Sequence, residues 1–264
     1  QAKTDEYKTT PLLAANDRGH AEVMKLLLDK GANVNAATAD NGRTPLWKAS
    51  KNGHVDVVRL LLARGASVDQ ATTDGQKTTP LFAACTGGHT EVVKLLLDKG
   101  ANVNRTTADD GPPPLLAASE NEHADVVRLL LAKGAAVDQA TTGKYKATPL
   151  WQASFRGHAD VVKLLLDKGA NVNAATADTG RPPLFVASTN AHADVVRLLL
   201  AKGASVDQAT TDEHEITPLL PAGNEGHTEV VKLLLDKGAN VNAATANNGR
   251  TSLYMASANG HADV

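Results

Sequence analysis

Apolar residues in this chain gather in short blocks between polar stretches, and the blocks recur. Val57, Val58, Leu60, Leu61 and Leu62 form one block, and the string Val-Val-Lys/Arg-Leu-Leu-Leu returns at 92–97, 126–131, 161–166, 195–200 and 230–235. A Pro-Leu step precedes each block, with prolines at Pro11, Pro45, Pro80, Pro114, Pro149, Pro183 and Pro218 and Ser252 in the eighth slot. The steps alternate between 34 and 35 residues, so the true period is a 69-residue pair, and Gln1, Gln70, Gln139 and Gln208 repeat at that interval. A fixed period of this size is the mark of a repeat architecture, in which each unit buries its apolar faces against its neighbours.

One repeat predicts two short helices. Thr44 suits an N-cap and Pro45 the first helical position, where its missing N–H costs nothing. Leu46 and Ala49 face inward over a helix ending near Asn52, and Gly53 marks the turn. A second helix is predicted from Val55 to Ala63, with Asp56 in its first turn and Gly65 as the left-handed residue after its end. The polar stretch from Ala66 to Thr78 reads as an extended β-hairpin finger. The expected domain is a single one over residues 1–264, with repeats at about 1–35, 36–69, 70–104, 105–138, 139–173, 174–207, 208–242 and a truncated 243–264.

Composition narrows the function classes. With 27 Lys and Arg against 29 Asp and Glu the net charge is −2, which gives no basic footprint for nucleic acid. Aromatics are only 3%, which suits thin helical layers rather than one large core. The longest apolar runs are too short to span a bilayer, and the polar start has no signal-peptide core. The single cysteine, Cys85, forbids an internal disulfide and points towards an intracellular, cytoplasmic setting. The absence of an initial Met points to a fragment or an engineered product.

Thr44-Pro45-Leu46, Gly53-His54, Val57-Val58 with Leu60-Leu61-Leu62, and Gly65-Ala66 together resemble the ankyrin repeat, and the likeness runs along essentially the whole chain. The resemblance implies an all-α solenoid of helix pairs with projecting β-hairpin fingers, and binding of other proteins through the finger tips and the concave face of the first helices. The repeats are longer than the usual unit of about 33 residues, and the extra residues fall in the fingers. The family's His after Thr-Pro-Leu is replaced by Leu13, Trp47, Phe82, Leu116, Trp151, Phe185, Leu220 and Tyr254. Apolar stacking is expected to replace the inter-repeat hydrogen bonding usual there. Pro113 and Pro182 displace the capping Thr of the fourth and sixth repeats, and Glu122 and Ala191 displace the turn Gly. Pro221 and Gly223 fall inside the first helix of the seventh, so repeats four, six and seven are expected to open first.

No constellation reads as an active site, and no cofactor or metal is implied. His20, His54, His89, His123, His158, His192, His227 and His261 share one slot. Stacked helices lie about 8–10 Å apart, too far for neighbouring copies to share a metal at a bond length of about 2 Å. Each is expected to hydrogen-bond backbone at its own turn. His214, at a finger tip, reads as a solvated side chain. Cys85 occupies a slot filled elsewhere by Ser50, Ser119, Ser154 and Ser188, so it reads as a packing residue. Trp47, Phe82, Trp151, Phe185 and Tyr254 read as packing before they read as a ligand groove.

Comparing the eight copies shows where the chain varies. Second helices barely differ, whereas finger tips and the first-helix face do. The residues expected to contact a partner are Lys48, Lys51, Asn52, Lys77, Glu120, Lys144, Tyr145, Lys146, Gln152, Phe155, Arg156, Glu213, His214 and Glu215. Phe155, Arg156 and Tyr145 lead, because exposed aromatics and Arg are enriched at hot spots. The tips differ in sign, Lys144 and Lys146 against Asp212, Glu213 and Glu215, which suits a protein partner better than a phosphate backbone. The reading is a non-enzymatic protein-interaction module, with no nucleic acid or membrane partner and with end-to-end stacking of copies through uncapped ends. Two rival readings stand beside it: an artificial, consensus-like scaffold with no natural ligand, and the substrate-recruiting region of a larger protein.

Overall fold

The computed structural model describes residues 10–108 and 111–264. The N-terminal residues from Gln1 and the expected tip pair Asp109-Asp110 lie outside the described residues. Those described hold fifteen α-helices, no strand, and one isolated antiparallel bridge between Ala244 and Thr251. They fall into two compact halves, Gln1–Ala136 and Val137–Val264.

In the N-terminal half the first helices are α1 (Pro11–Asp17), α3 (Pro45–Asn52), α5 (Pro80–Thr86) and α7 (Pro114–Glu120), and the second helices are α2 (Ala21–Asp29), α4 (Val55–Ala63), α6 (Thr90–Asp98) and α8 (Ala124–Ala132). In the C-terminal half the first helices are α9 (Pro149–Arg156), α11 (Pro183–Thr189), α13 (Leu219–Asn224) and α15 (Ser252–Ala258), and the second are α10 (Ala159–Asp167), α12 (Ala193–Ala201) and α14 (Thr228–Asp236). Within each half, first helices pack on first helices, second on second, and the two of a repeat on each other. Each half is thus a short solenoid of helix pairs.

Local chemistry sets these bounds. The Thr44 hydroxyl accepts from the Trp47 N–H, Pro45 occupies the first position, and Gly53 closes the helix at φ 72°. The predicted second helix from Val55 to Ala63 is the observed α4. One leucine per helix carries the core: Leu46, Leu81, Leu115, Leu150 and Leu184 in the first row, and Leu61, Leu96, Leu130, Leu165 and Leu199 in the second, all essentially solvent-free. Each such burial contributes about 1.5–3 kcal/mol.

The weak repeats follow their sequence. Pro113 and Pro182 cap α7 and α11 without a side-chain hydrogen bond. Glu122 and Ala191 take the left-handed turn at φ 61° and 59°. In the seventh repeat Pro221 has no N–H to give the Thr217 carbonyl. The chain makes a tighter Leu220 N–H to Thr217 O bond of 3.2 Å instead, and α13 starts only at Leu219.

The fingers differ from the expected β-hairpins. Each closes with a main-chain bond across its base, such as Thr38 N–H to Arg43 O or Thr72 N–H to Thr78 O, and most add a second within the turn, such as Gly42 N–H to Thr38 O or Lys77 N–H to Asp74 O. The returning N–H goes to a threonine hydroxyl: Arg43 to Thr38 Oγ1 at 3.1 Å, Thr78 to Thr72 Oγ1 at 2.9 Å. The hydroxyl takes the donor that a strand carbonyl would take, so no ladder propagates. The additional residue of the longer fingers leads to a left-handed residue that is not glycine: Lys77, Lys146 and Glu215, at φ 47°, 47° and 50°.

Candidate functional site

Neighbouring tips are joined by main-chain hydrogen bonds. Thr73 N–H donates to Asn41 O at 2.9 Å and Ala108 N–H to Gln76 O at 2.8 Å in the N-terminal half. In the C-terminal half Ala177 donates to Tyr145 O, Thr211 to Thr179 O and Ala246 to His214 O, at 2.9–3.0 Å. Tip backbones are therefore fixed relative to their neighbours by bonds that use no side chain, although Asn41, Asp74, Asp212 and Asn248 also order their own loops through theirs.

The expected contact residues fall on both halves. In the first, Lys51 and Asn52 are exposed at the end of α3, Lys77 is exposed on the next finger, and Glu120 is half-buried at the end of α7. Lys48 is committed to Asp17, Nζ to carboxylate at 2.8 Å, with a side chain only 19% exposed. In the second, Lys144, Tyr145 and Lys146 stand out on the fifth finger, and Tyr145 is 62% exposed. Gln152, Phe155 and Arg156 follow on α9. Phe155 stacks flat on Trp151, centroids 5.5 Å apart, and Arg156 Cζ lies 5.8 Å from the Phe155 ring centroid. Glu213 and Glu215 are exposed on the seventh finger.

The His214 side chain is 41% exposed, with Nε2 3.9 Å from Glu213 Oε1 and Nδ1 buried without a hydrogen-bond partner, while its backbone N–H donates to Asp212 Oδ1 at 3.1 Å. Partial burial works against the Asp212 charge, yet the Thr210 hydroxyl and the His214 N–H hold its carboxyl below the ordinary carboxylate range.

Five of the slot histidines bond elsewhere than expected, and His54 Nε2 is buried without a hydrogen-bond partner. His89 Nε2 reaches Lys51 O at 3.0 Å, and His123 reaches Thr86 O, His192 Phe155 O, His227 Thr189 O and His261 Asn224 O at 3.0–3.1 Å. The partner is the previous repeat, not the residue's own turn. The reason is that the last carbonyls of a short helix have no intrahelical donor, and the next repeat's imidazole supplies one. A carbonyl only accepts, so Nε2 carries the proton. The turn glycine lies against this ring: a Cβ on Gly53 would sit 2.6 Å from His89 Nδ1.

The aromatic slot also keeps more polar contact than expected. Trp47 Nε1 donates to Thr78 Oγ1 at 3.0 Å and Trp151 Nε1 to Arg181 O at 2.9 Å, both in the following finger. Inter-repeat hydrogen bonding therefore persists through indoles. Cations cover the rings, Arg43 over Trp47, Arg181 over Phe185 and Arg250 over Tyr254, at 4.9–5.6 Å. Cys85 is wholly buried, and burial pushes its thiol far up, so it is a packing residue and no nucleophile.

One feature escaped the sequence reading. A largely apolar groove of about 350 Å³ opens between α3 and α5, lined by Trp47, Lys51, Thr78, Phe82, Ala83, Thr86 and Gly87. Trp47 and Phe82 were legible as an aromatic series and Lys51 as a variable position. Their convergence depends on the packing of two repeats, which no single repeat displays. Among the described residues no helix is long and apolar enough to cross a membrane, and no group of side chains has a metal-ligand arrangement.

Comparison with known proteins agrees with this architecture. A family model of three ankyrin repeats matches residues 1–74, 68–141 and 136–210, and one of many ankyrin repeats matches 221–264. The crystal structure of the human ASB11 ankyrin repeat domain is similar, with a TM-score of 0.77 and 29% sequence identity, over 88% of this chain and 99% of that chain. No curated protein matches the sequence.

Proposed function

The chain belongs to the ankyrin repeat family, and from that premise we propose that it binds a protein partner through its finger tips and first-helix face, without catalysis. Ankyrin repeats are in general protein–protein interaction modules. The observation that carries the reading is the coupling of a fixed frame to variable side chains. Tip backbones are tied to one another by main-chain bonds, and residues that differ between repeats sit on those tips and on the neighbouring helix face. Rigid support beneath adaptable contacts is what a recognition surface requires.

Three strained positions support the same face. Lys77, Lys146 and Glu215 hold left-handed backbones, a conformation that costs a non-glycine residue about 1–2 kcal/mol, and each presents a charged side chain on a finger. The contact set is Lys51, Asn52, Lys77 and Glu120 in the N-terminal half, with Lys48 at its edge, and Lys144, Tyr145, Lys146, Gln152, Phe155, Arg156, Glu213, His214 and Glu215 in the C-terminal half. The chemistry-bearing side chains are otherwise occupied: five slot histidines bond inter-repeat carbonyls and Cys85 is buried.

The test is affinity capture of a partner followed by titration with variants. Tyr145→Ala and Phe155→Ala are each expected to weaken binding about tenfold while leaving the unfolding transition of the array in place. Full affinity in both variants would remove the C-terminal contact set.

A second reading, association of copies end to end, draws on apolar side chains left exposed in α2 and α15: Leu26 is 64% and Leu253 60% exposed. Sedimentation that stays monomeric at every concentration would exclude it.

A further inference from the structure

We propose that the groove between α3 and α5 takes an acidic, extended segment of a partner protein and seats one apolar side chain of that segment against Trp47 and Phe82. The proposal rests on the reading that the first-helix face is the binding face, and it adds the chemistry of what binds there.

The groove's shape selects a segment rather than a small cofactor or a helix. At about 350 Å³ it lies at the lower end of ligand pockets, which run from about 300 to 1,000 Å³. Packed helices stand about 8–10 Å apart, narrower than the 10–12 Å, roughly, of a helix with its side chains. One apolar side chain fits between α3 and α5 with its backbone lying above them. The floor that meets it is Trp47, Phe82 and Ala83.

Charge selects an acidic segment. Arg43 Cζ lies 4.9 Å and Lys51 Nζ 5.5 Å from the centroid of the Trp47 ring. Neither makes an ion pair among the described residues, whereas Lys48 on the same helix is paired with Asp17. The carboxylates on the two adjoining fingers are turned into their own loops. Asp74 Oδ1 accepts from the Thr72 hydroxyl at 2.7 Å and from the N–H groups of Gln76 and Lys77, and Asp40 Oδ2 accepts from the Asn41 amide at 2.9 Å. Asp74 is thereby tied up in its own loop; Asp40 feels the Arg43 charge but makes no ion pair with it, Lys51 is exposed, and Lys77, exposed on the finger beside Thr78, adds a third cation. An incoming carboxylate meets unpaired cations held over an aromatic ring.

The same geometry disfavours single-stranded nucleic acid. That class of ligand needs open aromatic faces for its bases to stack on. Trp47 is only 7% exposed and carries cations over its ring, so it offers an apolar wall and no stacking platform.

The experiment uses the whole 264-residue chain and a fluorescein-labelled peptide, Glu-Asp-Glu-Leu-Glu-Asp-Glu, read by anisotropy. Three comparison probes are used: the peptide with Ser for Leu, the peptide with Lys at every acidic position, and an oligothymidylate. The acidic peptide is expected to bind saturably, to lose about tenfold with Ser for Leu, and to weaken as NaCl is added. Lys51→Glu and Phe82→Ala are each expected to raise its Kd about tenfold. Lys51→Glu alters an exposed side chain, so its helical circular dichroism stays native even if Phe82→Ala disturbs packing. Lys232→Glu, an exposed position of α14 in the other half and outside the contact set, leaves the Kd unchanged. Equal binding of the Lys peptide, tighter binding of oligothymidylate, no saturable binding, or a natively folded Lys51→Glu with unchanged Kd would each overturn the proposal. If the peptide fails while Tyr145→Ala and Phe155→Ala still weaken a captured partner, this inference falls and the binding-face reading stands. If the peptide binds as described while those two variants keep full partner affinity, the C-terminal contact set falls and the groove stands.

Discussion

A glycine and a histidine from successive repeats meet at five of the turns, and the encounter sets what that position tolerates. Gly53 has φ 72°, and a Cβ there would press on the His89 ring at 2.6 Å. Gly53→Ala therefore adds left-handed strain to a steric clash, and is expected to destabilise by about 2 kcal/mol. Ala191 already holds φ 59° in the equivalent slot, so Ala191→Gly is expected to stabilise by up to about 1 kcal/mol. Urea titration of both variants checks the pair, and a loss of stability in Ala191→Gly would contradict it. At this scale the sequence was partly legible. A missing glycine betrayed the strained turn, because the backbone requirement is local. The partner of the histidine did not show, because it lies in the preceding repeat, 37 or 38 residues away.

Helices and fingers show where local signals suffice. Thr caps, Pro at the first position and the apolar spacing placed α3 and α4 closely, since each signal acts within one turn. The fingers carried the alternation and turn residues of hairpins but no strands formed. Threonine hydroxyls at 38, 72, 141, 176, 210 and 245 intercept the N–H that a ladder would use, and that competition is decided by side-chain geometry. The shortened α13 supplies a prediction for this scale. Pro221→Ala restores the donor facing the Thr217 carbonyl, and is expected to extend the helix to Pro218 and to stabilise by up to roughly 3 kcal/mol. Hydrogen exchange by mass spectrometry checks it: the wild-type chain should exchange faster in repeats four, six and seven than in repeat two, and Pro221→Ala should slow the seventh. Uniform protection across the four would count against both expectations.

Over the array, the 69-residue pairing proves to be an electrostatic arrangement as well as a sequence period. The first member of a pair ends its second helix in Asp, and the second member presents a cation to it: Asp29 with Arg64 at 2.9 Å, Asp98 with Lys133 at 2.7 Å, Asp167 with Lys202 at 2.8 Å. The Lys133 and Lys202 ammonium groups hold the Asp98 and Asp167 carboxyls below the ordinary range. A depressed folded-state pKa contributes stability that is complete above the unfolded value, about 3.9, and is lost as pH falls through the folded one. Lys133→Ala and Lys202→Ala are thus expected to flatten the acid limb of a stability–pH profile below about pH 4 and to leave its neutral region nearly unchanged, since exposed pairs contribute little. Urea midpoints across that range check it; an acid limb as steep as in the parent would refute the assignment. The repeat architecture and the constant second helices were readable because they recur along the chain. The groove between α3 and α5 was not, because it belongs to the space between two repeats.

The bonds that tie one finger tip to the next run between main-chain atoms, from Thr73 to Asn41 or from Ala177 to Tyr145. They are blind to the side chain on either residue. Rewriting a tip, for instance Tyr145 together with Lys144, removes no hydrogen bond that orders it. The tips behave as an alphabet set on a fixed rail, in which spelling can change from one copy of the repeat to another without altering the spacing of the letters. A lineage or a library that diversifies these positions would therefore sample new recognition at nearly constant folding yield.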